Sequence, residues 1–182
     1  MKIVGFNGSL SLDSNTYKGI KAVLETAKEN GAAITLFDLR NNPLPMYDPE
    51  QSDAIALKDE NVQLLRTLLD EADGIILGSP EYHGGMSGAF KNAMDWLGST
   101  QFKNKPVALV SSAGGPSSMN TLNSMQIMIR NLHGWVIPVL GSIPGGTKFT
   151  SEGLFMEDKL KSRFNNIGIE LIGMAGLLMR NK

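Results

Sequence analysis

Five short apolar runs, at residues 2–7, 33–39, 74–79, 106–112 and 135–140, alternate with longer stretches whose apolar residues recur at helical spacing. Runs of this kind suit strands buried on both faces, and helices between them imply right-handed crossovers and a parallel sheet. Residues 15–30 place Ile20, Val23, Leu24 and Ala27 on one face and stop at Gly31, a natural C-terminal signal. A second helix is expected over 52–72 with Leu57, Val62, Leu65, Leu68 and Leu69 inward, followed by helices over 89–97, 118–133 and 152–178. A Gly-rich connection over 141–150 is expected before the last of them.

The pattern predicts an α/β chain of flavodoxin-like, doubly wound plan, with a five-stranded parallel sheet in the order 2-1-3-4-5. At 182 residues, 42% hydrophobic and 19% charged, with no linker-like shift in composition, one domain over 1–182 is expected. A formal net charge of -1 argues against a nucleic-acid or membrane partner. The chain has no cysteine and two histidines, so disulfides, a thiolate nucleophile and a protein-built metal site are all disfavoured. The N-terminus reads as a strand and no run approaches the ~18 apolar residues of a membrane span, so a cytoplasmic location is expected.

In such a sheet, ligands bind outside the carboxyl ends of the strands, where three loops carry suggestive chemistry. The first, after the first strand, holds Ser9, Ser11, Ser14, Asn15 and Thr16 at the start of a helix. Hydroxyls, an amide and helix N–H groups suit one phosphate, while Ser14 also reads as the helix N-cap. Asp13 would repel an anion, so its side chain is expected to point outward. The loop lacks both the P-loop lysine and the GxGxxG glycines, which disfavours a triphosphate or a tightly held dinucleotide. A mononucleotide fits better, with flavin mononucleotide (FMN) the common companion of this sheet; an unspecified anion site is the alternative.

The second loop begins where Pro80 is expected to end the third strand, and continues through Glu81, Tyr82, His83 and Gly84. The third, Ser112, Ala113, Gly114 and Gly115, is small enough for backbone to lie against a ring edge. Ser117 or Ser118 reads as the cap of the helix that follows it. Glu81 and Asp95 give no sign of meeting as an acid–base pair. Asp38 suits a turn, His133 a helix end, and Met86, Phe90, Met94 and Trp96–Leu97 a core stripe, part of which could face another subunit.

The hydroxyl loop GSLSLDSNT, the segment LPMYD, the block SPEYHGGMSGAFKNAMDWL and the strand and loop KPVALVSSAGG together resemble the NADPH-dependent FMN reductase family, in particular its azobenzene reductase-like members. The likeness runs from the first strand to about Pro138. It implies bound FMN, NADPH or NADH as reductant, a small-molecule electron acceptor such as a quinone, azo compound or free flavin, and a homodimer or homotetramer. It places the FMN phosphate at Ser9, Ser11, Ser14, Asn15 and Thr16. It places the flavin ring against Pro80, Glu81, Tyr82, His83 and Gly84 on one side and Ser112, Ala113, Gly114 and Gly115 on the other. Many relatives carry arginine where this chain has Ser11, leaving either a weaker hold on phosphate or positive charge from a neighbouring subunit. Others carry asparagine where His83 stands.

Hydride chemistry of this type resides in the cofactor, so no catalytic side chain is assigned; proton donation by His83 is a secondary reading. The rival function is an FMN-binding electron carrier without small-substrate turnover. Carriers that dock on redox partners favour strongly acidic faces, and the near-neutral charge favours the enzyme.

Overall fold

A computed structural model describes residues 1–180; residues 181 and 182, included in the expected domain, lie outside the described residues. The strands are β1 (Lys2–Asn7), β2 (Ala33–Asp38), β3 (Gly74–Tyr82), β4 (Gly85–Met86), β5 (Pro106–Ser112), β6 (Trp135–Val136) and β7 (Gly141–Ile143). The helices are α1 (Asn15–Glu29), α2 (Ser52–Ala56), α3 (Glu60–Glu71), α4 (Gly88–Asp95), α5 (Ser99–Phe102), α6 (Met119–Asn131) and α7 (Asp158–Met179).

The sheet is not the expected five-stranded one. Among the described residues it has seven strands, ordered β2-β1-β3-β5-β6, with β4 paired to β3 and β7 paired to β5. The main ladders are parallel, while β4 runs antiparallel to β3. The run expected as one strand over 135–140 breaks in two: Trp135 and Val136 pair with the start of β5, and Gly141–Ile143 pairs with its end. Pro138 lies in the gap, where it offers no N–H to a ladder. Part of the connection expected over 141–150 is therefore strand.

Side chains alternate across the sheet with the period of a strand. On one face Val4, Phe6, Ile75, Leu77, Val107 and Leu109 pack with Leu65 and Leu69 of α3, Phe90 of α4 and Leu122 and Met125 of α6. On the other, Ile3, Ile76, Ala108 and Val110 pack with Ile20, Val23 and Leu24 of α1 and Phe164, Ile167 and Leu171 of α7. Side chains at the centres of both layers are fully buried, so packing on both faces determines where the carboxyl edge of the sheet lies.

Two helices depart from their expected bounds. The segment 52–72 is broken, because Asp59 accepts a hydrogen bond from the Val62 amide and starts a fresh helix there. Leu57 lies in the break and is exposed instead of inward. The last helix starts at Asp158, not at 152, because residues 149–155 form a small loop closed by a Phe149–Phe155 bridge. As expected, Gly31 takes a positive φ just beyond α1, at +85°.

Candidate functional site

The three predicted loops converge on the carboxyl edge of β1, β3 and β5. The register pairs Ser79 with Ser111 and Pro80 with Ser112, so the second and third loops leave the sheet side by side. The first is tied to the second through Gly8, whose amide donates to Gly78 O at 2.8 Å and whose carbonyl accepts from Ser87 Oγ at 2.8 Å. A Cβ on Gly8 would lie 2.5 Å from Phe90, so only glycine allows this approach.

Within the first loop, Asn7 acts as a brace. Its Nδ2 donates to Ser9 O at 3.1 Å and to Asp38 Oδ1 at 2.8 Å, while its Oδ1 accepts from the Ser9 amide at 3.2 Å. Ser9 Oγ accepts from the Ser11 amide at 3.3 Å, and Ser14 Oγ accepts from Tyr17 N at 3.0 Å as the expected N-cap. Ser9, Ser14 and Thr16 are buried and Asn15 is half-buried, while Ser11 is exposed. Asp13 points outward, as expected, and its carboxylate meets Lys18 Nζ. The amides of Asn15 and Thr16 belong to the first turn of α1 and have no carbonyl within the helix to bond.

Pro80 does not end β3. The strand runs on to Tyr82, because the Pro80 position sits at the last rung of the parallel ladder and the chain then folds back antiparallel through β4. His83 and Gly84 make the two-residue turn, both at positive φ (+53° and +78°), the arrangement of a type I′ hairpin. Pro80 is buried, Glu81 is half-buried, and Tyr82, His83 and Gly84 stand exposed at the tip. Glu81 Oε2 accepts from the Thr121 amide at 2.9 Å, capping the first turn of α6 from outside that helix. Ser118 stands at the N-cap position of α6, as expected, but its Oγ donates to Ser111 O at 2.9 Å instead of capping the helix, while Ser117 Oγ accepts from the first amide of α6, that of Met119, at 3.3 Å. Asp95 is occupied separately by Lys91, so it forms no pair with Glu81.

In the third loop, Ala113 N donates to Ile143 O at 3.1 Å and Gly115 O accepts from Gly145 N at 2.7 Å. Gly114 and Gly115 are exposed, and a Cβ added to either would meet nothing within 4 Å. Ser111 Oγ at the end of β5 and Thr121 Oγ1 in the first turn of α6 are buried without a hydrogen-bond partner. A bare backbone rim, beside a first loop of hydroxyls at a helix start, fits a planar molecule with a phosphate tail, which is the shape of FMN.

Sequence reasoning missed several contributors. Asn7 and Asp38 brace the first loop, and Arg40 donates from its guanidinium to Leu10 O; all sit at strand ends, which was the available signal. Residues 144–153 also reach this edge. With the first loop they border an open cavity of about 750 Å³ lined by Ser14, Lys18, Lys21, Thr147 and Phe149, among others, a meeting that no local pattern announces. No helix among the described residues is long and apolar enough to cross a membrane.

The chain is 38% identical over 139 residues to an NADPH azoreductase of Bacillus sp. (strain OY1-2), covering 76% of this chain and 74% of that protein. It is 34% identical over 132 residues to an FMN-dependent NADPH-azoreductase of Staphylococcus saprophyticus, covering 72% and 70%. Among solved structures, FerB from Paracoccus denitrificans, a flavoenzyme NAD(P)H:(acceptor) oxidoreductase, superposes with a TM-score of 0.78 at 18% identity over 98% of this chain and 97% of that one. A flavodoxin from the domain Archaea superposes with a TM-score of 0.65 at 17% identity over 94% and 99%. These two likenesses establish the flavodoxin-like α/β fold. Residues 1–148 match the NADPH-dependent FMN reductase family, and the chain belongs to it.

Proposed function

We propose that this chain is an NAD(P)H-dependent oxidoreductase that passes two electrons through FMN to a small acceptor such as a quinone, an azo compound or a free flavin. The observation that carries this reading is the meeting of three strand-end loops, closed by the 2.8 Å contact between Thr16 and Ser112 hydroxyls. Family membership and the two azoreductase relatives support it.

Ser9, Ser11, Ser14, Asn15 and Thr16 would hold the phosphate, through hydroxyls and the first-turn amides of α1. The hairpin from Pro80 to Gly84 and the rim from Ser112 to Gly115 would flank the ring. When bound, FMN supplies the hydride-accepting and electron-donating centre. The protein's part is to orient and to exclude water: the β3–β4 hairpin is pinned to α6 by Glu81, and the Gly114–Gly115 rim is pinned by Gly145. His83 lies at the exposed turn with its backbone in the left-handed region, so its main contribution is to hairpin shape; proton donation to a reduced acceptor is the secondary role.

Three further readings accompany this one. A single domain carries the site, the protein acts in the cytoplasm, and it works as a homodimer or homotetramer. Exposed Tyr82, Met119 and Ile127 around the hairpin and α6 support the assembly, since apolar groups beside a ligand site commonly meet a second subunit.

An absorption spectrum of the purified protein, with release and identification of any yellow chromophore, tests the cofactor. Mixing the protein with NADPH and a quinone tests the reaction: catalytic loss of NADPH is expected. Flavin binding with no turnover of any small acceptor would leave the electron-carrier function in its place.

A further inference from the structure

Lys18 occupies an unusual position at the rim of the first loop. It lies one turn into α1, where long side chains lean toward the N-terminus, and it lines the same pocket as Ser14 and Asn15 of the first loop. There it is held twice. Its Nζ bonds the Asp13 carboxylate, and it also sits 4.7 Å from the centroid of the Phe149 ring, which arrives from the far side of the cavity. The two partners of the ion pair differ sharply in burial, with Lys18 only 21% exposed at its side chain and Asp13 85% exposed.

That asymmetry separates the roles. The ring holds the ammonium without any anion, so the cation is positioned by packing and by attraction to the ring face. The carboxylate is a solvent-facing group whose pairing is weak, because exposed ion pairs gain little in water. A phosphate monoester carries close to two negative charges at neutral pH and three acceptor oxygens, so it outbids a single exposed carboxylate for the same ammonium. Of the other charges lining this cavity, Lys21 is exposed on α1 and Glu152 accepts from Ser151 Oγ at 2.6 Å, while Arg40, at the first loop, donates to Leu10 O.

We propose that Lys18 is the cation that receives the terminal phosphate of FMN, and that Asp13 is the counter-ion it gives up in doing so. The inference rests on the reading of the first loop as the phosphate end of the flavin site. Asp13 thereby weakens flavin binding, and its carboxylate makes the site selective for a ligand charged enough to displace it.

Titration of the apo-protein with FMN and with riboflavin, followed by flavin fluorescence, isolates the phosphate, because both ligands share the ring. Lys18→Met is expected to raise the FMN dissociation constant about tenfold or more, and Lys18→Arg to restore most of it. Asp13→Asn is expected to tighten FMN about threefold. Riboflavin affinity is expected to stay within about twofold of wild type in all three, the size of a surface change. Equal loss of both flavins in Lys18→Met together with an unmoved Asp13→Asn overturns the proposal. So does an effect on NADPH over NADH binding in the FMN-loaded protein without one on FMN over riboflavin, which would give the ammonium to the reductant's 2′-phosphate. Should Lys18→Met melt early, Asp13→Asn decides alone: tighter FMN supports the exchange and unchanged or weaker FMN overturns it. A wild-type chain that binds neither flavin overturns the functional reading as well, whereas wild-type binding with inert variants overturns this inference only.

Discussion

The hydroxyls of Thr16 and Ser112 meet at 2.8 Å although 96 positions separate them in the chain. Thr16 is buried in the first turn of α1 and Ser112 closes β5, so this one contact sets the gap between the first and third loops. Removing either hydroxyl by Thr16→Val or Ser112→Ala is expected to weaken FMN binding. The double variant should show a coupling of about 0.5–1.5 kcal/mol, the net worth of a partly buried hydrogen bond. Strictly additive losses in a double-mutant cycle, read by flavin titration, would show that the contact does not shape the site.

The third loop offers a steric test of where a ligand approaches. A Cβ on Gly145 would fall 2.0 Å from the Gly114 carbonyl oxygen, and backbone cannot yield as a flexible side chain can. Gly145→Ala is therefore expected to cost about 1–3 kcal/mol in urea unfolding and to push the rim outward, lowering flavin affinity. Gly114→Ala and Gly115→Ala meet nothing in the protein, so their stability should stay within about 0.5 kcal/mol of wild type. A flavin ring lying against this rim would meet the new methyl groups. Loss of flavin affinity with unchanged unfolding is the expected outcome, and unchanged affinity places the ring elsewhere.

The strand and helix alternation was legible because the sheet is covered on both faces, which makes its strands apolar runs and its helices amphipathic. Ile75 and Leu77 facing one layer and Ile76 the other leave that signature in three consecutive residues. What was not legible depended on contacts between distant segments or on competition within a local signal. Asp59 turned one apolar period into two helices, stranding Leu57 at the surface. Pro80 read as a stop, yet the hairpin turn at His83 and Gly84 carried the strand past it. In the site, the hydroxyls of the first loop were visible as a cluster, and Ser14 as a cap. Their braces Asn7 and Asp38, and the arrival of Phe149 over Lys18, needed tertiary structure.

At the opposite end of the sheet, Lys2 Nζ and Glu71 Oε2 form an exposed ion pair at 2.9 Å. The hydrogen bond to Lys2 and its charge hold the Glu71 carboxyl below its ordinary value, and the same partner raises the Lys2 ammonium above its own. The Glu71 contribution is present above the unfolded-chain carboxylate range and is lost as pH falls through the lowered folded value. The Lys2 contribution is present below the unfolded-chain ammonium value and is lost as pH rises through the raised one. Lys2→Met should therefore lower Tm slightly at neutral pH and low salt, with the difference closing in acid, in strong base and at high salt. A difference between wild type and variant that persists in acid would assign the effect to something other than this pair.

Glu81 joins the ring-side hairpin to α6, and the two halves of that role can be separated. Its Oε2 accepts from the Thr121 amide, while its backbone pairs with Met86 across the β3–β4 turn. The carboxylate both fills an orphan donor of the helix and sets a negative charge near its positive end. Glu81→Gln keeps an acceptor and loses the charge, so a loss of about 0.3–1 kcal/mol in stability is expected, with the hairpin still docked. Glu81→Ala loses both, exposing an unsatisfied amide and freeing the hairpin; about 1–2 kcal/mol is expected in stability, together with a larger fall in flavin affinity than Glu81→Gln shows. Urea unfolding and flavin titration on the same samples read the two effects. If both variants lost affinity equally, the charge itself, acting on the ligand, would replace hairpin anchoring as the cause.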